Sequence, residues 1–282
     1  MRTLVTGVTG RIGTRFLPRI LYQVDHVRAL VRRPEQGEPL RRRDAEVLVG
    51  DLRDPETRRR AVDGMDSVVH LAAAFRAVDG DEAMATNHTA TVELATAAVR
   101  AGAHRFVFAS TNLVYGPGRG RPATEEDEPQ PPARAYPTSK AAAEAALRNL
   151  QPAGDLDLRI VRLAFVYGEG DPHLAEAMPW AAREWPAHKR LHLVHHADVD
   201  QALLRALRME GLSGRIYNVA DDAPVTTAEL HELNGEPLPE RLSGLPLDDP
   251  WEGIVNTGRA RSELLFRPIY PSVYTARDAG TL

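Results

Sequence analysis

Short β-rich runs alternate with helical stretches through the first half of the chain, and this alternation constrains the fold most. A strand is predicted at Arg2–Thr6, and apolar residues recur at helical spacing in Arg11–Gln23. The run Ser67–Ala73 is almost continuously apolar, as expected of a parallel strand that is buried on both faces. Further strands are predicted at His26–Val31, Glu46–Val49, Arg105–Ser110, Leu158–Val166 and Arg215–Val219, and further helices at Ala83–Arg100, Ala135–Leu150, Asp198–Leu207 and Thr227–Leu233. Such alternation is typical of an α/β protein with a doubly wound parallel sheet.

The character of the sequence changes after Tyr167, where prolines and tryptophans become frequent. This part is too irregular to form a large independent domain. We therefore predict a main domain of residues 1–166 together with about 195–220. Residues from about 167 to 194, together with 221–282, are predicted to form a small C-terminal lobe that covers the carboxyl edge of the sheet and binds the substrate.

Composition excludes several classes of protein. The 282 residues are 43% hydrophobic and 26% charged, a balance typical of globular proteins and unlike disordered chains. The longest apolar runs, such as Val68–Ala74, have the length of a strand, so we expect no membrane span. The absence of cysteine excludes disulfides and cysteine nucleophiles, and a net charge of −4 gives no bulk attraction to nucleic acid. The first residues lack the features of a signal peptide, so a cytoplasmic location is expected.

A glycine-rich turn follows the first predicted strand. Gly7, Gly10 and Gly13 stand between that strand and the first predicted helix. Glycine is needed there where the chain bends, where backbone approaches a pyrophosphate and where the helix packs on the strand. The phosphates would meet the N–H groups at the N-terminus of the helix. The alternative is a tight turn without a ligand, but this position favours a Rossmann-type dinucleotide site that includes Arg11 and Ile12.

The residues after the next strands bear on the choice of cofactor. An NAD-specific site would place an acidic residue after the second strand, whereas this chain has Arg32 and Arg33. A guanidinium suits a 2′-phosphate, so NADP is predicted, with NAD as the alternative because arginine is common throughout this chain. The residues predicted to contact the rest of the cofactor are Asp51 and Leu52 beside the adenine, and Leu71, Ala72 and Ala73, whose small side chains allow a close approach.

Tyr136 and Lys140 stand four residues apart in a predicted helix, so both lie on one face of it. A phenol with a pKa near ~10 is a poor acid or base at neutral pH, and a neighbouring ammonium lowers that pKa. Only two of the 35 basic residues of the chain are lysines, which makes this position of Lys140 unusual. Thr111 follows the fifth strand, where its hydroxyl could polarise a substrate oxygen. Together with the glycine turn, the pair indicates catalysis; surface residues without a role are the alternative.

These motifs resemble those of the extended short-chain dehydrogenase/reductases, the NAD-dependent epimerase/dehydratase family, over nearly the whole chain. The matching segments are Thr6–Gly13, Asp51-Leu52, His70–Ala73, Thr111 with Tyr115-Gly116, Tyr136 with Lys140, Arg162 through Gly168, and His195–Asp198, and Asn87 falls where the family often has asparagine. The resemblance implies that Tyr136 is the general acid/base and that Thr111 fixes the substrate oxygen. It also implies that Lys140 holds the nicotinamide ribose and tunes Tyr136, and that the protein is a homodimer through the helices Ala83–Arg100 and Ala135–Leu150.

Departures from the family pattern narrow the expected reaction. Nucleotide-sugar 4,6-dehydratases have Asp and Glu where this chain has Asn112 and Leu113, and leucine cannot take up a proton. Nucleotide-sugar enzymes also tend to have Asn at the position of Phe165 and Arg at that of Leu191, although Arg190 could substitute. The sequence therefore favours an oxidoreductase that acts on a small or apolar carbonyl or alcohol. A nucleotide-sugar epimerase with bound NAD and a non-catalytic cofactor-bound sensor are the alternatives.

Four histidines lie close together in the second half of the sequence, at positions 188, 192, 195 and 196. Hydride chemistry needs no metal, and Asp198 is the only evident carboxylate partner, so we expect structural histidines and no metal site. Asn112, Phe165 and His195 are the residues predicted to face the substrate.

Overall fold

The computed structural model describes residues 1–75, 78–150 and 156–282. Its strands are β1 (Arg2–Thr6), β2 (His26–Val31), β3 (Glu46–Val49), β4 (Ser67–His70), β5 (Arg105–Thr111), β6 (Asp157–Leu163), β7 (Phe165–Tyr167), β8 (Arg190–Leu191), β9 (Leu193–His195), β10 (Arg215–Val219) and β11 (Val225–Thr226). Its α-helices are α1 (Arg11–Ile20), α2 (Glu38–Arg41), α3 (Pro55–Val62), α4 (Gly80–Ala83), α5 (Ala90–Arg100), α6 (Ala135–Leu150), α7 (His173–Glu184), α8 (His196–Arg208), α9 (Thr227–Leu233), α10 (Glu240–Ser243), α11 (Gly258–Glu263) and α12 (Val273–Asp278).

Seven of the described strands form one parallel sheet in the order β10-β6-β5-β4-β1-β2-β3. Strand β1 pairs with β2 on one side and with β4 on the other. The chain therefore builds the sheet outward from β1 in one direction and then returns to build it in the other. At such a switch point the loops after the two central strands separate, and they leave a crevice at the carboxyl edge where ligands bind. The predicted doubly wound α/β fold is confirmed.

Apolar side chains cover both faces of this sheet. Val5 packs in one cluster with Phe16 of α1 and Leu203 of α8. The neighbouring residue Leu4 belongs to a second cluster that includes Leu94 of α5. Successive strand residues alternate between the two clusters, so both must be apolar, which explains the continuous apolar runs in the sequence.

The structure corrects several predicted boundaries. The first helix, predicted over Arg11–Gln23, ends at Ile20, and the strand predicted over 67–73 ends at His70. The strand predicted over 158–166 is divided, because its last part, β7, leaves the main sheet and pairs with β9. An apolar run does not mark the point where a strand leaves its sheet, since the residues beyond that point are also largely buried.

The helix predicted over Ala83–Arg100 begins earlier and is irregular. It starts at Gly80, and a π-helical stretch at Met84–Thr89 separates α4 from α5. Asn87 lies buried in that stretch, and its side chain accepts a hydrogen bond from the Ala74 N–H (2.7 Å) and donates one to the Ala74 carbonyl (2.8 Å). It also donates to Ser139 Oγ of α6 at 3.0 Å. Through these bonds the π-helical turn fixes the loop after β4 to α6. Such turns occur frequently at functional sites.

The later part of the chain adds two short strand pairs, β7 with β9 and β8 with β11. A small apolar cluster holds this part together and consists of Tyr167, Leu193, Val225, Val273 and Ala276. The predicted division into a main domain and a substrate lobe stays a prediction. In the parts of the chain that the structure describes, every helix is too short or too polar to cross a membrane.

Candidate active site

The glycine turn after β1 is packed so closely that two of its glycines leave no room for a side chain. Gly7 has a φ of +72°, and a Cβ there would lie 2.5 Å from the backbone nitrogen of Ala72. A Cβ on Gly13 would lie 2.1 Å from the carbonyl oxygen of Gly7. Gly10 caps α1, and its N–H donates to the Gly7 carbonyl at 3.0 Å. The turn therefore brings the start of α1 against the loop after β4, at the crevice of the sheet.

The first turn of α1 receives no side-chain cap from the described residues. An α-helix leaves its first N–H groups without intrahelical acceptors and carries a partial positive charge at this end. A bound pyrophosphate accepts hydrogen bonds from these N–H groups, and its negative charge is attracted to this end of the helix. The closely packed turn of Gly7, Gly10, Ile12 and Gly13 therefore fits a dinucleotide cofactor.

Arg11, the first residue of α1, makes ion pairs with the later part of the chain. Its Nη1 lies 2.9 Å from Asp171 Oδ1, and its Nη2 lies 2.6 Å from Glu176 Oε1. Two turns further along α1, Arg19 binds Glu169 at 2.6 Å and Asp200 at 2.5 Å. These contacts tie α1 to the start of α7, to the loop before it and to α8. The guanidinium of Arg11 thus contacts carboxylates, and its predicted role at the cofactor stays a prediction.

Charged side chains stand where the adenosine of a dinucleotide would bind. Arg32 and Arg33 are exposed after β2, and Arg33 Nε lies 3.4 Å from Glu35 in a solvent-screened contact. Asp51, after β3, accepts a hydrogen bond from Arg53 Nη2 at 2.7 Å, and this contact lowers the pKa of Asp51. The carboxyl edge of β2 and β3 therefore presents exposed guanidinium groups. Of the other predicted cofactor residues, Leu52 is buried, whereas Leu71, Ala72 and Ala73 are partly or fully exposed beside the glycine turn.

Tyr136 and Lys140 lie one turn apart on α6. Tyr136 is half-buried, and withdrawal from water raises the pKa of its phenol, which therefore keeps its proton at neutral pH. Lys140 is 2% exposed, and its Nζ lies 3.8 Å from the centroid of the Phe108 ring. Among the described residues it makes no hydrogen bond. Burial lowers the pKa of Lys140 to about 7, against the attraction of Glu144.

Glu144, one further turn along α6, lies in a buried charge network. It accepts a hydrogen bond from Arg162 Nη2 at 2.6 Å and another from Ser110 Oγ at 2.5 Å. The side chains of Glu144 and Arg162 are 2% and 1% exposed. Ser110 immediately precedes Thr111, so the network joins α6 to the end of β5. Our sequence analysis named Arg162 only as the start of a segment that resembles the family, and it did not identify Glu144. The available signal was a carboxylate four residues after Lys140 on the same helix face.

Thr111 ends β5 and is almost buried, at 7% exposure. Its Oγ1 accepts a hydrogen bond from the Leu113 N–H at 3.2 Å, and the turn Asn112–Tyr115 that follows packs against α6. Asn112 donates from Nδ2 to the Gly253 carbonyl at 2.8 Å. Asn112 therefore holds a loop from the end of the chain, and its predicted contact with substrate stays a prediction.

The ring of Tyr136 contacts Phe75, and two further rings continue from Phe75 toward β7. Phe75 packs edge-on against Tyr136 with ring centroids 4.7 Å apart, and it also meets His173 at 5.7 Å. Phe165 stacks on His173 at 3.8 Å. The structure thus brings the predicted residue Phe165 into a group that includes Tyr136. Phe75 and His173 were not identified from the sequence, because nothing in their local pattern marks them as neighbours of Tyr136.

Three of the four clustered histidines, His192, His195 and His196, have structural contacts, whereas His188 is exposed. His195 is fully buried, where its Nδ1 accepts from the Ala197 N–H (3.2 Å) and its Nε2 donates to the Thr281 carbonyl (3.0 Å). Both ring nitrogens of His195 are therefore engaged in the interior, and its predicted contact with the substrate stays a prediction. His192 donates to the Asp221 carbonyl at 3.0 Å, and His196 lies 2.8 Å from Asp171. Within the described ranges, no group of three or more histidine or carboxylate side chains could hold a metal ion.

Comparison with known proteins gives a consistent result. The model of the NAD dependent epimerase/dehydratase family matches residues 3–220. A 4-hydroxy-2-methyl-3-oxo-4-farnesyl-3,4-dihydroquinoline-1-oxide ketoreductase of Stigmatella aurantiaca is 32% identical over 235 residues, which are 80% of this chain and 70% of that protein.

Two solved structures share the fold. A short-chain dehydrogenase/reductase superfamily protein of Agrobacterium tumefaciens with bound NAD has a TM-score of 0.80 at 24% identity, over 99% of this chain and 96% of the other. The UDP-glucose 4-epimerase of Thermotoga maritima, solved with UDP-glucose, has a TM-score of 0.78 at 23% identity, over 99% of both chains. The chain is therefore a member of the NAD-dependent epimerase/dehydratase family and an NAD(P)-dependent enzyme of the extended short-chain dehydrogenase/reductase type.

Proposed function

We propose that this enzyme interconverts a small carbonyl compound and its alcohol by hydride transfer, with Thr111, Tyr136 and Lys140 as the reacting site. The observation that carries the proposal is that Tyr136 and the buried Lys140 lie one turn apart on one face of α6, where burial keeps the phenol protonated at neutral pH. A reductase needs a proton donor for the oxygen that gains charge and a cation for the anion that the donor leaves behind. Tyr136 and Lys140 supply these two groups. The similarity to a named ketoreductase supports the same reaction type.

In this reaction each of the three residues has a separate role. When bound, the nicotinamide supplies the hydride in reduction and accepts it in oxidation. Tyr136 donates its phenolic proton to the carbonyl oxygen of the substrate as negative charge develops there. Lys140 stabilises the resulting phenolate and binds the nicotinamide ribose. Thr111 holds the substrate oxygen through its hydroxyl.

We further propose that NADP is the preferred cofactor. Support comes from the two exposed guanidinium groups of Arg32 and Arg33, which lie where a carboxylate would be expected for NAD. Guanidinium groups bind phosphate by charge-assisted hydrogen bonds. NAD is the alternative, since a structure with this fold was solved with NAD.

A homodimer belongs to the same proposal. The resemblance implies an interface through the segment that contains α5 and through α6, and these two helices pack side by side. Analytical ultracentrifugation of the protein is expected to show a dimer, whereas a monomer at all concentrations would contradict this part of the proposal.

The function is tested by two assays on the same preparation. In the first, NADPH oxidation is followed with a panel of ketones, and the alcohol product is quantified; we expect one alcohol formed for each NADPH consumed. In the second, interconversion of UDP-glucose and UDP-galactose is followed with NAD. Sugar interconversion without net consumption of cofactor would replace the proposal by an epimerase. Cofactor binding with no turnover in either assay would favour a sensor.

A further inference from the structure

Aromatic side chains from four separate segments form a continuous row that includes the proposed proton donor. The row consists of Tyr136 on α6, Phe75 in the loop after β4, His173 at the start of α7, and Phe165 in β7. Phe75 meets Tyr136 at an interplanar angle of 74° and His173 at 86°, both edge-on. Phe165 and His173 are nearly parallel, at 19°. The row thus extends from α6 to β7 through two edge-on contacts and one stacked contact.

Part of this apolar surface is open to solvent. Phe75 is 39% exposed, although its ring lies next to Tyr136. Leu113, in the turn that follows Thr111, is 37% exposed. Large apolar side chains that stay exposed beside a proton donor form the kind of surface that a bound ligand covers.

Two of the described arginines, Arg11 and Arg190, already have partners. Arg11 is paired with Asp171 and Glu176. Arg190 donates to the Pro250 carbonyl at 2.8 Å, and its guanidinium lies 5.0 Å from the Trp251 ring. Phe165 adds an apolar ring that is stacked on His173. An aromatic lining of this kind favours an uncharged ligand.

We propose, on the basis of the reductase function above, that the substrate is an uncharged aryl ketone. Its ring packs against Phe75 and the stacked pair of Phe165 and His173, while its carbonyl reaches Tyr136. In the reaction the carbonyl carbon gains a hydride from NADPH, the oxygen gains the proton of Tyr136, and NADP⁺ and a secondary alcohol are formed. Phe75 and Phe165 determine the specificity, because aromatic pairs in edge-on or offset geometry favour a ring over a saturated group of equal size by about two- to tenfold each.

The experiment compares acetophenone with cyclohexyl methyl ketone, which differ in the aromaticity of the ring but hardly in size. For each, kcat/KM is measured with NADPH in the wild type and in Phe75→Leu and Phe165→Leu. We expect each substitution to reduce the ratio of the two kcat/KM values, aryl over cyclohexyl, by about two- to tenfold. The control is Tyr22→Leu, an 87% exposed aromatic residue just beyond the far end of α1, which should leave the ratio unchanged. An unchanged ratio in both phenylalanine variants would overturn the proposal.

A binding measurement separates this inference from the reductase function. The panel assay above tests the reductase function. If neither of these two ketones is reduced, calorimetric titration of the NADP⁺-loaded protein with 1-phenylethanol and 1-cyclohexylethanol decides on the site. Tighter binding of the aryl alcohol that is lost in Phe75→Leu supports the aryl site on its own. Equal binding of the two alcohols, or binding of neither, refutes it. Thermal melting and NADPH fluorescence confirm that the variants fold and retain the cofactor.

Discussion

Replacement of Glu144 by glutamine separates the charge of this residue from its shape. Glu144→Gln retains a side-chain oxygen that can accept from Ser110, but it leaves the guanidinium of Arg162 without its carboxylate. Both side chains of the pair are almost completely buried. Removal of one partner of a buried ion pair typically costs about 3–5 kcal/mol, because the remaining charge stays buried without compensation. The Tyr115 ring, 4.6 Å from the Arg162 guanidinium, compensates a small part, so we expect a loss near the lower end of this range.

The assay is urea unfolding at pH 7 without cofactor, with the free energy of unfolding taken from the linear dependence on urea. The matched control is Glu56→Gln, which breaks the exposed Arg59–Glu56 pair of similar length (2.6 Å) and should have no measurable effect. The double variant Glu144→Leu/Arg162→Met should recover part of the lost stability, since it leaves no unpaired charge. A loss in Glu144→Gln no larger than that of the control would refute the reasoning.

Three further predictions concern the cofactor site and the pH dependence of stability. Gly13→Ala should abolish cofactor binding, measured by NADPH fluorescence, because its Cβ would lie 2.1 Å from the Gly7 carbonyl oxygen; normal binding would show that the turn can relax. Neutral replacement of both Arg32 and Arg33 should weaken NADP binding by more than about tenfold while NAD binding changes little; equal losses for the two cofactors would contradict a phosphate contact. Burial lowers the pKa of Lys140 to about 7, so between pH 7 and 10 the unfolded state binds more protons than the folded state. The free energy of unfolding of the wild type should therefore rise with pH relative to Lys140→Met, and a constant difference between pH 7 and 9 would show that Lys140 is not desolvated.

Much of the sheet could be predicted because its strands are short apolar runs bounded by turns, and the central strands β4 and β5 are buried on both faces. The strands at His26–Val31, Glu46–Val49 and Arg215–Val219 lie where the sequence placed them. The glycine turn was equally accessible, since the chemistry of a strand-to-helix bend requires glycine at Gly7 and Gly13. Local pattern alone was sufficient for these elements.

Contacts between distant segments could not be predicted in this way. The π-helical stretch around Asn87 depends on hydrogen bonds to Ala74 and Ser139, which lie 13 and 52 residues away. Phe75 becomes part of the site only through packing against residues of α6 and α7. The hydrogen bond between His195 and the Thr281 carbonyl joins positions that lie 86 residues apart in the chain. In each of these cases the contact that determines the local structure joins distant segments, and the residues next to it in the sequence do not indicate it.

The role of Tyr136 is the central claim, and it is tested most directly by hydride transfer from deuterated NADPH. The wild type and Tyr136→Phe are each incubated with 4-deuterated NADPH and an aryl ketone, and deuterium in the alcohol is measured over time by mass spectrometry. We expect the wild type to place the deuterium on the carbinol carbon. Tyr136→Phe should bind NADPH equally well but transfer deuterium about 10²–10⁴-fold more slowly, the usual contribution of general acid catalysis. Transfer at the wild-type rate in Tyr136→Phe would contradict the claim and show that another group protonates the substrate.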